Sequence, residues 1–359
     1  MPLIGPRNRG TRRSPTQKRR PRPRSNPLLE QLSYQARMAR RGSHIGNEAA
    51  TAIVRRHLDP SLTVTGMRKL YGGSINRVIE WFLEGPKVDP NGFAVDQPDV
   101  FPKSIVAKLN NSRSAKLFRR EMASLKVYQE NTALPVPTPI AYLEDEPEFD
   151  GSGLLMERID GINLSEAKVT PKGVHAMQGD LAKHVVALHS HHRACYGSAL
   201  DDDGPSRWLD SFGPVISEEF FRVRELLSSK VRWIIDDVIK NLEIWLPEQS
   251  TPTLVHGDLW SNNIMIDDGH PENPEIQAFI DVSASYCDPE YELAYLRMFN
   301  TADDSFFERY RQRHPLRPGF SKRCRVYWLN TMMMHVRVFG EKYVPGTEQL
   351  ALDLQALDK

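Results

Sequence analysis

The chain has 359 residues, of which 40% are hydrophobic and 26% are charged, and its formal net charge is +1. This length is sufficient for two lobes with a substantial core, and the composition is ordinary for a globular protein. No apolar run approaches the about 20 residues that a membrane helix requires, which argues against a membrane protein. The three scattered cysteines form no CxxC pair and no disulfide framework, which favours a reducing compartment and therefore the cytoplasm.

A basic head accounts for the near-zero net charge. Residues 1–29 carry nine Lys and Arg and no Asp or Glu, so the rest of the chain holds 38 basic and 46 acidic side chains. Because this head has six prolines and few bulky apolar residues, residues 1–45 are predicted to form a disordered tail. Three interpretations of this segment remain open: an organellar transit peptide, a basic arm that contacts RNA or anionic lipid, and a solvated tail. The acidic remainder argues against nucleic-acid binding elsewhere.

The first elements after the tail are a helix and two strands. Residues 47–58 predict a short helix that Asp59-Pro60 ends, and residues 62–70 and 78–83 predict two β-strands. The link between these strands contains Gly72, Gly73 and Ser74. Paired glycines let backbone N–H groups approach phosphates closely, although an ordinary hairpin turn has the same composition.

A lysine at the end of the next strand and a glutamate on the following helix predict an ion pair. Residues 104–108 form an apolar strand that ends in Lys108. The helix over residues 113–130 has one apolar face, and Glu121 lies on it; the face comprises Leu117, Phe118, Leu125 and Tyr128. A carboxylate turned inward requires a partner, and Lys108 is the natural one. The alternative is that both side chains are exposed.

The second half of the chain begins with a strand over residues 154–158 and a helix over residues 174–192. That helix carries a core face and four histidines, His184, His189, His191 and His192. No convergent cysteine or carboxylate set accompanies them, so a metal site is not favoured. Trp208 then opens an aromatic segment that precedes a long amphipathic helix reaching Leu246. Aromatic residues at helical spacing are typical of a core, and contact with a substrate is the alternative for Trp208.

The stretch from Leu254 to Leu296 carries the strongest chemical signal. Asp258 follows an apolar run, Asn263 comes five residues later, and Asp281 ends a second apolar run. Mg²⁺ prefers oxygen ligands, usually one or two carboxylates together with substrate phosphates. Phosphoryl transfer mainly requires positioning and charge neutralisation. We therefore expect Asp258 to orient and deprotonate an attacking hydroxyl, and Asn263 and Asp281 to hold Mg²⁺ on the phosphates of ATP. Each residue alone is also common in turns, but the ordered set indicates a kinase-type active site.

The same stretch resembles a known family. HGDLWSNN and IDVSASYCDPEYELA are similar to the catalytic core of the fructosamine kinases, a branch of the aminoglycoside phosphotransferase and protein-kinase-like group. The segment from Pro315 to Tyr343 resembles the closing helix of that family and its HxxxFGxxY ending. The resemblance covers about residues 60–345. Glu292 stands where the family usually has aspartate, so its expected role, a hydrogen bond that orients the catalytic loop, is open to test.

The resemblance implies an α+β, two-lobed protein-kinase-like fold. The N-lobe would span residues 46–157, with a five-stranded antiparallel sheet and one helix. The C-lobe would span residues 158–345 and be mainly helical, followed by a C-terminal tail over residues 346–359. The N-lobe would contact ATP through three parts: the glycine turn of Gly72, Gly73 and Ser74, the Lys108–Glu121 pair, and the interlobe hinge of Met156, Glu157 and Arg158. Some family members carry cysteine at the position of Ser74, so no thiol switch is expected there.

The resemblance also implies an activity. It predicts direct, in-line phosphorylation of a sugar hydroxyl of a ketosamine, a fructosamine or ribulosamine, on free amines or glycated proteins. The product would be unstable and lose the sugar, which would make the biological role deglycation repair. Two other readings remain: a phosphotransferase for an aminoglycoside or an amino alcohol, and a non-catalytic nucleotide-binding module.

Overall fold

The computed structural model describes residues 45–70, 76–86, 101–110, 116–247, 250–267 and 269–357. The expected tail over residues 1–45 and the turn of Gly72, Gly73 and Ser74 lie outside these ranges, apart from Ile45. In the described residues, no helix combines the length and the apolar character that crossing a membrane would require.

The N-terminal lobe is a five-stranded sheet with two helices, one before the first strand and one between the third and fourth strands. The elements in chain order are α1 (Asn47–His57), β1 (Thr63–Leu70), β2 (Arg77–Glu84), β3 (Ser104–Asn110), α2 (Lys116–Asn131), β4 (Pro139–Glu144) and β5 (Ser152–Glu157). The strands pair antiparallel throughout, in the order β1-β2-β3-β5-β4, as expected. Alternating apolar residues of the strands pack with α1 into one buried cluster, which includes Ile53, Trp81, Leu109 and Leu143.

Helix α2 connects the sheet to the second lobe. Phe118, Leu125 and Tyr128 are buried, and the Tyr128 hydroxyl donates a hydrogen bond of 2.6 Å to the carbonyl oxygen of Val255. Leu117, which the sequence places on the same apolar face, is instead 58% exposed. It precedes Phe118 by one residue, about 100° around the helix, and therefore falls outside the buried stripe.

The second lobe is mainly helical, with two small three-stranded sheets beside the cleft. Its first part contains β6 (Ile162–Asn163), α3 (Pro171–Leu188), β7 (Gly197–Ser198), α4 (Trp208–Val223), α5 (Ser229–Lys240) and α6 (Leu242–Trp245). The second part contains β8 (Thr253–Val255), β9 (Ile264–Asp267), β10 (Glu275–Phe279), β11 (Ser285–Cys287), α7 (Pro289–Met298), α8 (Asp304–Arg311), α9 (Phe320–Phe339) and α10 (Val344–Leu357). The small sheets have the orders β10-β9-β6 and β7-β11-β8, and they present the loops of the candidate site.

Two expectations for this lobe are corrected. The aromatic segment that begins at Trp208 is itself helix α4, and the long helix predicted to follow it and reach Leu246 is divided into α5 and α6. Leu227, between α4 and α5, is extended (φ −96°, ψ 151°). Ser228 and Ser229 follow at once, and serine favours helix starts over helix interiors. The predicted tail over residues 346–359 is largely helix α10, because Ala351 and Leu354 are fully buried in the core shared with α9.

Candidate active site

The loop after β8 places Asp258 at the mouth of the cleft. His256 is fully buried, and Gly257 has a φ of +88°. A Cβ on Gly257 would lie 2.4 Å from the carbonyl oxygen of Ser283, so both the backbone conformation and the available space require glycine. This tight turn brings the Asp258 side chain to the interface of the small sheets with α7.

The Asp258 carboxylate receives hydrogen bonds from two sides. Asn263, which ends a short 3₁₀ turn, donates from Nδ2 to Oδ2 of Asp258 (2.9 Å) and to its carbonyl oxygen (2.8 Å). The hydroxyl of Tyr295 donates to Oδ1 over 2.6 Å. Burial raises the pKa of Asp258 to about 6, although both hydrogen bonds act in the opposite direction by favouring the charged form. The side chain is therefore a base whose pKa lies closer to neutrality than that of an ordinary aspartate.

Lys108 lies between two carboxylates in the cleft. Its ammonium group is 2.5 Å from Oε1 of Glu121 and also forms an ion pair with Asp281. The pairing expected between β3 and α2 is thus present, and the alternative of two exposed side chains is excluded. Burial alone would lower the pKa of Lys108, but the two carboxylates outweigh it and raise that pKa, so the lysine stays charged.

Asp281 follows β10 and has unusual backbone geometry. Its φ is +59°, a left-handed conformation that is uncommon for residues other than glycine. Its carboxylate is 38% exposed, whereas the Lys108 and Glu121 side chains are 9% and 15% exposed. Residues in this conformation cluster at functional sites, and Asp281 lines the cavity.

Glu292 on α7 supports the loop that carries Asp258. Its Oε2 accepts a hydrogen bond of 2.9 Å from the N–H of Gly257, and its Oε1 lies 3.1 Å from Nε2 of His189. Nδ1 of His189 is 2.8 Å from the hydroxyl of Tyr310. Burial alone would raise the pKa of Glu292, but the hydrogen bond and charge of His189 outweigh it and lower that pKa. Glutamate thus forms the hydrogen bond to the catalytic loop that was expected at this position.

A cavity of about 260 Å³ lies between the lobes. Apolar side chains from both lobes form its walls, among them Leu70, Val78, Val106, Met156, Met265 and Ile280. Lys108, Asn263 and Asp281 also line it, and Lys108 contacts Asp281 directly. An apolar cavity that also presents a lysine, a carboxamide and a carboxylate is suited to a planar base with a phosphate chain.

The expected hinge residues line the same cavity. Met156 is buried at 4% exposure, and the chain then leaves β5 through Glu157 and Arg158. The Glu157 N–H donates to the Thr138 carbonyl (2.8 Å), and its carboxylate accepts from the Thr138 N–H (2.9 Å). Arg158 lies 3.4 Å from Glu80. Six of the described residues that the sequence nominated for this site line the cavity: Lys108, Met156, Glu157, Arg158, Asn263 and Asp281. Glu121 and Asp258 are not in its lining and contact Lys108 and Asn263, respectively.

Other nominated residues lie elsewhere or have structural roles. Trp208 is 5% exposed, stacks on Phe212 with ring centroids 5.3 Å apart, and donates from Nε1 to the Tyr327 hydroxyl (3.1 Å), so the core reading holds. Within the described residues, no group of three histidine, cysteine or acidic side chains could hold a metal ion. The residue that the sequence analysis missed is Tyr295. Its position three residues after Glu292, on the same helix face, was an available signal.

Comparisons with known proteins point to one family. A family model described as fructosamine kinase matches residues 220–356. The mouse ketosamine-3-kinase is 27% identical over 283 residues, an alignment that covers 67% of this chain and 84% of that protein. A probable ketoamine kinase of Klebsiella pneumoniae is 32% identical over 111 residues, which cover 31% of this chain and 85% of the relative. The match to a probable ketoamine kinase of Enterococcus faecium, 35% identical, spans only 38% of that relative.

Solved structures give the same architecture. A fructosamine-3-kinase candidate from Haemophilus somnus superposes with a TM-score of 0.65 at 17% identity, covering 89% of this chain and 99% of that one. The aminoglycoside phosphotransferase APH(4)-Ia superposes with a TM-score of 0.60 at 18% identity, covering 86% and 98%. At these identities the likeness establishes the two-lobed kinase-like fold alone. The fold, the family model and the relatives agree, and the chain belongs to the fructosamine kinase family of small-molecule phosphotransferases.

Proposed function

We propose that this protein uses ATP and Mg²⁺ to phosphorylate a sugar hydroxyl of a ketosamine. The observation that carries the proposal is that Lys108, Asn263 and Asp281 line the same apolar cavity and that Asp258 is hydrogen-bonded to Asn263. A positive charge, two oxygen ligands and a base with a raised pKa are the parts that phosphoryl transfer requires. The names of the family relatives supply the substrate class.

The nucleotide would lie with its base between the apolar walls and its phosphates toward Lys108. Because the Glu157 N–H already donates to Thr138, the adenine edge would use backbone groups of residues 158–159, where the chain has left the sheet. Lys108 would contact the α- and β-phosphates while Glu121 fixes the position of its ammonium group. The turn of Gly72, Gly73 and Ser74 would cover the phosphates, a role that remains a prediction from the sequence.

Asn263 and Asp281, which both line the cavity, fit a magnesium ion. Nδ2 of Asn263 is engaged twice by Asp258, which leaves its Oδ1 as the free ligand atom of the amide. Asp281 offers a partly exposed carboxylate. A carboxylate and an amide oxygen together with phosphate oxygens form a usual Mg²⁺ ligand set. When bound, Mg²⁺ would neutralise charge on the β- and γ-phosphates.

In the transfer step Asp258 accepts the proton of the attacking sugar hydroxyl. The new O–P bond forms at the γ-phosphorus, the bond between that phosphorus and the oxygen of ADP breaks, and no phosphoenzyme intermediate is needed. Asn263 and Tyr295 hold the Asp258 carboxylate, and Glu292 holds the backbone before it. Lys108 stabilises the charge on the ADP leaving group.

The substrate would be a fructosamine or ribulosamine on a free amine or on a glycated protein. Phosphorylation would yield an unstable product that loses the sugar and frees the amine, so the biological role would be deglycation repair. The experiment is ATP consumption by the purified full chain with Mg²⁺, offered a ribulosyl-amine, a fructosyl-amine and an aminoglycoside in parallel. Turnover of the ketosamines alone supports the proposal. Turnover of the aminoglycoside alone would overturn the substrate and retain the assigned chemistry.

Replacing Asp258 separates the chemistry from nucleotide binding. We expect Asp258→Asn to lower turnover by about 10²-fold or more, because asparagine cannot accept the proton. Affinity for ATP should stay nearly unchanged, since this carboxylate contacts neither the base nor the phosphates in the proposed pose. The two quantities are measured by steady-state kinetics and by calorimetric titration with ATP. Unchanged turnover would show that Asp258 is not the base.

A further inference from the structure

Tyr295 contacts the Asp258 carboxylate, although no motif in the sequence includes it. Its hydroxyl donates to Oδ1 over 2.6 Å, while Nδ2 of Asn263 donates to Oδ2 over 2.9 Å. The two donors come from separate elements, helix α7 and the short turn after the catalytic loop. Together they hold both oxygens of one carboxylate.

The Tyr295 ring is itself fixed by aromatic packing. Its centroid lies 4.6 Å from that of Phe299, which in turn contacts Trp260 at 5.6 Å and His335 at 5.8 Å. Burial, reinforced by the Asp258 charge, raises the pKa of the Tyr295 phenol, so the hydroxyl remains a donor. Because the Tyr295 ring is held by its aromatic neighbours and its hydroxyl is protonated, the direction of its hydrogen bond to Oδ1 of Asp258 is fixed.

Helix α7 contacts the catalytic loop through two residues on one face. Glu292 accepts the N–H of Gly257, and Tyr295, three residues later, donates to Asp258. The helix is anchored on its far side, where Nε1 of Trp328 donates to the Ala294 carbonyl over 2.7 Å. One anchored helix thereby sets both the backbone before Asp258 and the orientation of its side chain.

We propose that Tyr295 is a positioning residue, whose hydroxyl fixes the rotation of the Asp258 carboxylate so that its remaining lone pairs meet the attacking hydroxyl. The inference rests on the proposed function, in which Asp258 receives the proton. An ionised carboxylate has about four acceptor positions, so two donors leave room for the substrate. The terminal torsion of aspartate is broad. Without Tyr295, Asn263 is the one hydrogen-bond donor among the described residues that would still hold the Asp258 carboxylate. Small errors in reacting geometry lower the rate more than they lower binding.

The test is a double-mutant cycle between Tyr295→Phe and Asp258→Asn in the full-length protein. Phenylalanine keeps the packing on Phe299 and removes only the hydroxyl. We expect Tyr295→Phe to lower kcat about tenfold with an unchanged KM for ATP. In the Asp258→Asn background the same change should have almost no further effect, because Tyr295 acts through Asp258. If the two substitutions lowered kcat by independent factors that multiply in the double variant, the proposal would be overturned. An unaltered kcat in Tyr295→Phe would also overturn it.

A matched control and a second reaction make the outcomes separable. Tyr291→Phe removes a hydroxyl one turn earlier on α7, where it lies 3.5 Å from Nδ2 of Asn330, and should leave kcat unchanged. The cycle is also run on the slow hydrolysis of ATP by water, without a sugar acceptor. Coupling seen only in hydrolysis would overturn the ketosamine assignment and support the role of Tyr295. If the ketosamine were turned over but the effects of the two substitutions on kcat were multiplicative, the ketosamine assignment would stand and the role of Tyr295 would be overturned.

Discussion

Two clusters of charged side chains, one in the cleft and one behind helix α7, differ in how their charges are balanced. In the cleft, Lys108 pairs with both Glu121 and Asp281, so this group of three side chains has one excess negative charge. Behind helix α7, two carboxylates, Asp288 and Glu290, meet two guanidinium groups, Arg317 and Arg323.

Exposure follows the same division. Asp281 is 38% exposed and has a positive φ, whereas the Asp288 and Glu290 side chains are each 3% exposed. Burying ions is tolerated only where each is paired and hydrogen-bonded, and the balanced cluster meets that condition. The cleft cluster has a partly exposed carboxylate and one excess negative charge, which a bound cation can offset. The first cluster is therefore suited to chemistry and the second to holding α7 on α9.

The largest effect is expected from Asp281→Asn in the cleft. Asparagine has the same shape and tolerates the left-handed backbone, so folding should change by about 1 kcal/mol or less. Loss of the charged metal ligand should lower kcat by at least about 10³-fold, close to 4 kcal/mol of barrier. Kinetics at several Mg²⁺ concentrations, with thermal unfolding in parallel, check both parts. A variant with near-normal turnover would remove Asp281 from the metal site.

The balanced cluster should respond in the opposite way. Arg323→Met leaves Glu290 buried with only Arg317 as a partner, which should lower the free energy of unfolding by about 3 kcal/mol. Turnover per folded molecule should remain within about threefold of the original, because no group in the cavity is changed. Denaturant titration and active-site-normalised kinetics provide the measurements.

Arg325→Met on the same helix is the matched control for Arg323→Met. Its guanidinium hydrogen-bonds the Ser321 carbonyl at an exposed position, so a change of about 0.5 kcal/mol or less is expected. If both variants lost the same stability, the buried pairing would not be what holds α7 to α9.

Local patterns made much of this molecule predictable. The strands, the helix that carries Glu121 and the Lys108 pairing follow from apolar periodicity and from the cost of burying an unpaired carboxylate. The interpretation of Asp258, Asn263 and Asp281 as one site required only their order in the sequence and the chemistry of phosphate and magnesium. These features depend on residues near in sequence or on one strongly constrained contact.

The missed features depend on packing between distant segments. Tyr295 reaches Asp258 only because α7 docks against the catalytic loop. Its spacing from Glu292 places both residues on one helix face but does not show which segment that face meets. The sequence predicts a tail where helix α10 forms, because the buried residues of that helix, Ala351 and Leu354, acquire their role only against α9. The break between α4 and α5, just before Ser228, is stabilised by a residue distant in sequence, because the Ser228 N–H donates to the Glu348 carboxylate over 2.7 Å. Such contacts are properties of the assembled lobe.

Apart from the Arg325 control, the smallest effect is expected at Glu292, where the family resemblance predicts aspartate. Glu292→Asp restores the residue that the family usually has, but it shortens the side chain by one carbon. In this structure the carboxylate spans from the Gly257 N–H (2.9 Å) to His189 (3.1 Å), and a shorter side chain on an unmoved α7 loses one of these contacts. We expect kcat to fall about tenfold, since the loop before Asp258 is less firmly held. Glu292→Gln keeps the length and one acceptor, so it should stay closer to the original. If Glu292→Asp proved fully active and Glu292→Gln did not, the negative charge at this position, and not the length of the side chain, would be what the cleft requires. Helix α7 would then contribute to the charged site itself and not only to the scaffold behind it.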